Sequence, residues 1–291
     1  MSRTVVTLCK GLQFGEAPRW HDGRLWFSDF FRRAVMSASE DGDLRVEFEH
    51  DDQPSGLGWA PDGSLLFVSM IRRQVMRRFA DGLTVVHADL GHIASFHCND
   101  MVVDTSGTAY VGNFGFDLDA AIAQGGLAGV MGGHVKAKLA RVTLDGVAET
   151  AADDLSFPNG CVITPDGRQF IVAETFAAKL TAFDIDADGF LSGRRVWADL
   201  GRRLPDGICL DADGAVWFAN PTAPECVRVA EGGEVLEIVE TGDPCYACML
   251  GGVDGRTLFL LTAGGSGAAA ESAQTGRLQS VRVDTPHAGL P

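Results

Sequence analysis

Pro61-Asp62-Gly63-Ser64-Leu65-Leu66-Phe67-Val68 couples an Asp-Gly turn to an apolar strand, and the same phrase recurs along the chain. It returns as His21-Asp22-Gly23 before Leu25-Trp26-Phe27, and as Pro165-Asp166-Gly167 before Phe170-Ile171-Val172. Further copies are Ala212-Asp213-Gly214 before Val216-Trp217-Phe218 and Val253-Asp254-Gly255 before Leu258-Phe259-Leu260. A weaker copy is Thr105-Ser106-Gly107 before Ala109-Tyr110-Val111. Glycine enters a tight hairpin turn at positive φ without steric cost, so each phrase marks a hairpin. The turn glycines lie 40, 44, 60, 47 and 41 residues apart. That period is the length of one four-stranded propeller blade. Six copies in 291 residues leave about 48 residues for each. The expected fold is all-β: a six-bladed β-propeller with four-stranded blades around a central channel, with residues 1–291 as one domain. A pair of β-sandwiches is the competing arrangement.

A propeller must join its first blade to its last, because open edge strands invite aggregation. Val5-Val6-Thr7-Leu8 and Leu278-Gln279-Ser280-Val281-Arg282-Val283 are the candidates for a shared closing blade. The 60-residue interval holds an insertion at residues 114–134 that can serve as a lid. Leu118 to Ala123 reads there as a short helix, and Gly125, Gly126, Gly129, Gly132 and Gly133 read as a mobile remainder. Residues 264–273 read as a mobile loop and 287–291 as a tail.

The formal charge is −15 and the pI about 4.8. A net anion without a basic run is a poor partner for nucleic acid or an anionic membrane surface, so neither is expected. No stretch approaches the length of a transmembrane helix. Met1-Ser2-Arg3-Thr4-Val5 lacks a hydrophobic signal core. Seven scattered cysteines suit a reducing compartment, and a cytoplasmic location is expected. Nothing in the sequence sets an oligomeric state.

Equal offsets in a radial repeat place residues at equal height around the axis. Asn99, Asn159 and Asp206 each stand eight residues before a turn glycine, as does Ser55, and Glu16 stands seven before. Glu16, Asn99, Asn159 and Asp206 are therefore expected to converge at one mouth of the channel. Oxygen donors without sulfur or imidazole suit a hard divalent cation. That donor set favours Ca²⁺, Mg²⁺ or Mn²⁺ over a structural zinc site; one divalent cation is expected, Ca²⁺ first, with Mg²⁺, Mn²⁺ or Zn²⁺ open as alternatives. Taken singly, Pro158-Asn159-Gly160 and Pro205-Asp206-Gly207 are also ordinary turn formers. Cys245-Tyr246-Ala247-Cys248 has no second pair and reads as packed core. No G-x-S-x-G elbow is present, which argues against a serine hydrolase.

Gly15-Glu16-Ala17-Pro18-Arg19-Trp20, Asn99-Asp100, Pro158-Asn159-Gly160 and Pro205-Asp206-Gly207-Ile208 are collinear over nearly the whole chain. Together they resemble the signature segments of the senescence-marker-protein, gluconolactonase and luciferin-regenerating-enzyme family. The resemblance implies one divalent cation held by Glu16, Asn159 and Asp206, with Asp206 also the catalytic base. It implies that Asn99 touches a small-molecule substrate. Many sugar-lactone hydrolases of this family carry arginine where this chain has His97, which offers fewer hydrogen-bond donors. His97, Phe114 and Phe116 are thus expected to shape the substrate pocket, and a less polar lactone becomes an alternative to a sugar lactone. The implied activity is metal-dependent lactone hydrolysis. A phosphotriesterase, an isomerase or dehydratase acting on a lactone-like substrate, and a non-catalytic calcium- or ligand-binding propeller stay open as alternatives.

Overall fold

The computed structural model describes residues 3–291, with side chains throughout except at 268 and 269; Met1 and Ser2 lie outside it. The chain forms six four-stranded antiparallel sheets. The first contains β2 (Gly15–His21), β3 (Arg24–Asp29), β4 (Ala34–Ala38) and β5 (Leu44–Glu49) in sequence order. The next four sheets repeat that order and begin at β6 (Pro54–Trp59), β10 (Cys98–Val103), β14 (Pro158–Ile163) and β18 (Ile208–Leu210). The last contains β22 (Cys245–Gly251), β23 (Thr257–Thr262) and β24 (Gly276–Arg282). Its outer edge is β1 (Val6–Leu12), which pairs with β24 through Val6 opposite Ser280 and Leu12 opposite Gly276. The two chain ends share one blade, as the closing segments predict, and no blade is left as an open end of the ring.

β2, β6, β10, β14, β18 and β22 touch one another in a closed ring and line the axis. Burial follows distance from it. β10 and β14 are buried at every position, while β5 on the rim is mostly exposed or half-buried. Strands walled on both faces are mostly apolar, and the polar residues they do hold, Asn99, Asp100 and Asn159 among them, need partners inside the fold. All six turn glycines, at 23, 63, 107, 167, 214 and 255, adopt positive φ between 70° and 89°.

Three segments are more ordered than their composition suggests. The insertion folds as α1 (Leu118–Gly132), capped by Asp117 and broken at Gly126 (φ 63°, ψ −177°). Its glycines are tolerated because Val130 is buried against Phe157, Phe176 and Leu204. The 264–273 loop contains a short helix, α2 (Ala268–Ala273). The C-terminal tail crosses the face of the Asp-Gly turns. Leu290 exchanges two backbone hydrogen bonds of 2.8 Å with Ile163, and Ala288 N–H donates to Leu210 O at 3.1 Å. It thereby covers the ends of β14 and β18.

Candidate functional site

The turn face and the site face are opposite ends of the ring. Each innermost strand starts at the site face and runs down to its glycine turn, Asp-Gly in five blades and Ser106-Gly107 in the third. A residue seven or eight positions before the turn glycine therefore sits at the upper mouth. Glu16, Asn99, Asn159 and Asp206 meet there as the floor of one cavity of ≈ 400 Å³. Register shifts between Glu16 and Arg19, Cys98 and Met101, and Pro158 and Cys161 place bulges at three of these positions. A bulge turns a side chain out of the strand's ordinary alternation, here toward the axis.

The Pro-x-Gly segments are not turns. Gly160 and Gly207 have no positive φ. A Cβ on Gly160 would stand 2.5 Å from Ile208 N, and one on Gly207 would stand 2.7 Å from Ala247 Cα. These glycines let neighbouring innermost strands approach closely, which draws Asn159 and Asp206 together.

A chain of hydrogen bonds runs round the mouth. Ser55 Oγ donates to Asn99 Oδ1 at 3.5 Å, and Asn99 Nδ2 donates to Asn159 Oδ1 at 3.1 Å. Asn159 Nδ2 donates to Thr175 Oγ1 at 3.3 Å, and Thr175 Oγ1 donates to Pro205 O at 2.7 Å. The Asn159 side chain also lowers the pKa of the Asp206 carboxyl electrostatically. Beneath the mouth Arg19 plugs the channel. Its Nη2 lies 2.6 Å from Asp100 Oδ1, and the guanidinium donates to Pro18 O, Leu57 O and Met101 O.

The electrostatics are lopsided. Glu16 and Asp206 are both buried, and among the described residues the Glu16 carboxylate accepts one hydrogen bond, from Ala17 N–H at 3.2 Å. Burial holds the Glu16 carboxyl well above its ordinary range, helped by the charges of Asp206 and Asp100. Burial raises Asp206 in the same way, with Asp100 adding to it, and the Asn159 side chain only partly opposes this. Arg19, three residues after Glu16 in β2, is engaged with Asp100. Two buried carboxylates that repel each other need a proton or a cation. Two carboxylates and two amides, all oxygen-bearing, are the donor set that a hard divalent ion takes, so the residues fit such an ion. The amides are essential to that fit: among the described residues no three His, Cys, Asp or Glu side chains form a metal cluster. The Asn99 and Asn159 amides can each rotate by half a turn to present oxygen with little change of shape.

Above this floor the walls are aromatic and aliphatic. His97 and Phe114 line the cavity, and His97 stacks on Phe96 with ring centroids 4.1 Å apart. Burial holds the His97 imidazole below its ordinary pKa, against a pull upward from Asp52. Phe116 does not line the cavity. It packs behind the wall against Phe157, Phe176 and His134, with centroids 5.4 Å from His134. Sequence reasoning missed Phe14, Phe157 and Phe176, which do line it. Phe14 and Phe157 stand two residues before Glu16 and Asn159, so their position beside the signature residues was the available signal. Phe176 lies in the turn after β15 (Gln169–Glu174) and carried none.

A family model described as the SMP-30/gluconolactonase/LRE-like region matches residues 14–264. Pentonolactonase XacC of Haloferax volcanii is 28% identical over 276 residues, covering 92% of this chain and 86% of that protein. The luciferin-regenerating enzyme superposes with a TM-score of 0.83 at 18% identity, covering 99% of this chain and 98% of that one. A calcium-binding regucalcin from Agrobacterium tumefaciens superposes with a TM-score of 0.81 at 20% identity, covering 100% and 97%. These two likenesses carry the propeller fold. The signature residues gathered at the mouth and the match from Phe14 to Gly264 lead to one conclusion: the chain belongs to the SMP-30/gluconolactonase/LRE-like family.

Proposed function

We propose that the protein is a lactonase that uses one divalent cation, held by Glu16, Asn159 and Asp206, to open a small-molecule lactone. The observation that carries this reading is the pair of buried, mutually repelling carboxylates flanked by amides at the floor of a cavity. The lactonase named among the relatives supports the reaction class. The calcium-binding neighbour supports Ca²⁺ as the first choice. When bound, the cation would supply Lewis-acid polarisation of the carbonyl and stabilise developing negative charge.

Asp206 takes a proton from the attacking water as the water oxygen adds to the carbonyl carbon. The acyl C–O bond of the ring then breaks. The ring oxygen leaves as an alcohol and receives the proton back from Asp206, giving a hydroxy acid. Asn99 and His97 orient the lactone from the wall nearest the third blade. The 114–134 insertion, with α1 leaning over the cavity, serves as a lid that keeps bulk water from the reacting centre. A reducing, cytoplasmic setting suits the seven unpaired and buried cysteines.

The test is a pH-indicator assay of acid release from a lactone panel, run on metal-stripped protein and after addition of Ca²⁺, Mg²⁺, Mn²⁺ or Zn²⁺. Metal-dependent acid release is the expected result. Silence over the panel with metal shown bound would overturn the hydrolase reading and favour a binding propeller.

A further inference from the structure

Resting on that hydrolase reading, we infer that the substrate is an uncharged lactone bearing an apolar alkyl or aryl substituent, not a polyhydroxylated sugar lactone, and that α1 forms the wall selecting it. The cavity, at ≈ 400 Å³, is of small-molecule size. Glu16, Asn99, Asn159 and Asp206 gather on its floor, and Gln53, Asp119, Thr222, Tyr246 and Ser266 add polar groups elsewhere in the lining. Above the floor stand Phe14, Phe114, Phe157, Phe176 and, from α1, Leu118 and Ile122. Leu118 and Ile122 are one helical turn apart and share a face. Ile122 is 40% exposed on a helix that buries Val130, and its exposed surface adjoins the cavity.

Hydroxyls of a sugar lactone would each need a partner in this site, because a buried polar group without one is costly. Several of the candidates are engaged already, while Gln53, Tyr246 and Ser266 complete the polar lining. Asn99, Asn159 and Thr175 belong to the hydrogen-bonded arc, and Thr222 Oγ1 donates to Asn220 Oδ1 at 2.7 Å. His97 is a flat ring stacked on Phe96 and brings no fork of donors. Charge points the same way. Among the described residues no lysine or arginine lines the cavity, and its acidic residues are Glu16, Asp119 and Asp206. A carboxylate or phosphate on the substrate would find no basic partner in that wall. An alkyl or aryl substituent displaces water from these rings and gains with every buried methylene.

The experiment compares kcat/KM of the metal-loaded protein on δ-valerolactone, δ-octalactone, δ-decalactone and dihydrocoumarin with that on glucono-δ-lactone. The expected result is a rise of about threefold to fourfold per methylene until the cavity is full. Ile122→Ser is expected to flatten that slope. A rate on glucono-δ-lactone equal to or above that on δ-decalactone overturns the inference while leaving the lactonase reading intact. Binding is read separately, by ligand-observed NMR with chroman and 1,5-anhydroglucitol, which have no scissile bond. Chroman binding without the polyol supports the apolar wall even if no lactone is opened. Binding of the polyol alone overturns it.

Discussion

The side-chain amide of Asn99 donates to Oδ1 of Asn159 across 3.1 Å, joining the innermost strands of the third and fourth blades at the channel mouth. The arc continues through Thr175 to Pro205 O, directly before Asp206. Asn159 thus orients two neighbours besides its proposed role on the cation. Asn159→Ala is expected to weaken Ca²⁺ binding by at least about tenfold, since even residues that only orient metal ligands cost that much. Isothermal titration calorimetry checks this. Unchanged affinity in a folded variant would remove Asn159 from the ligand set.

Metal-stripped protein is expected to lose stability as pH rises. Burial holds the folded Glu16 and Asp206 carboxyls above their ordinary values of 4.5 and 3.8. Below those values both carboxyls are protonated in the folded and unfolded chains, and no penalty arises. As pH climbs from there toward the raised folded values, the unfolded chain ionises first, and stability falls. A cation reverses this by favouring the charged forms. The Tm gain from Ca²⁺ should therefore grow from pH 4 upward through this window, and Glu16→Gln should reduce the growth. Scanning calorimetry with and without chelator reads both, and a gain independent of pH would contradict the assignment.

Arg19 and Asp100 form a buried ion pair, with side chains 4% and 8% exposed, that ties the first three blades together below the site. Arg19→Met strands a buried carboxylate beside Glu16 and Asp206. The expected loss is about 3–5 kcal/mol. Arg19→Met/Asp100→Leu should recover part of it, because both charges are then gone. Denaturant unfolding of the double-mutant cycle checks the coupling. Additive losses would mean that the pair does not act as a unit.

The last blade owes its outer strand to the opposite end of the chain. Deleting residues 1–12 removes β1, exposes the edge of β24 and should leave the protein insoluble. A normal yield of soluble, folded protein lacking residues 1–12 would show that the ring holds without this closure.

The ring was legible because a positive-φ glycine recurs at every inner hairpin, and the site because a fixed distance from that glycine is a fixed height on the axis. Asn99, Asn159 and Asp206 share one offset from that glycine, and Glu16 joined them at an offset one shorter through its place in Gly15-Glu16-Ala17-Pro18. The cavity wall was legible only in part, at His97 and Phe114. Phe14, Phe157 and Phe176 come from separate crossings of the site face; the first two share an offset from Glu16 and Asn159, and Phe176 shares none. The helix through Gly125, Gly126 and Gly129 was hidden because its stability comes from Val130 packing on Phe157, Phe176 and Leu204, a tertiary effect that outweighs weak intrinsic propensity. Arg19 stood in a quoted signature segment, yet its partner Asp100 lies 81 residues away in the chain. The tail read as loose because its bonds to Ile163 and Leu210 need no special residue type.

The most direct test of the central claim is a titration of metal-stripped protein with Ca²⁺ in which bound ion and lactone-opening rate are followed together, for wild type and Asp206→Asn. The account expects wild-type activity to appear with the first equivalent and to saturate there, and Asp206→Asn to lose about 10²–10⁴ in rate at full metal occupancy. Activity that survives metal removal, or a fully occupied Asp206→Asn that works like wild type, would contradict it.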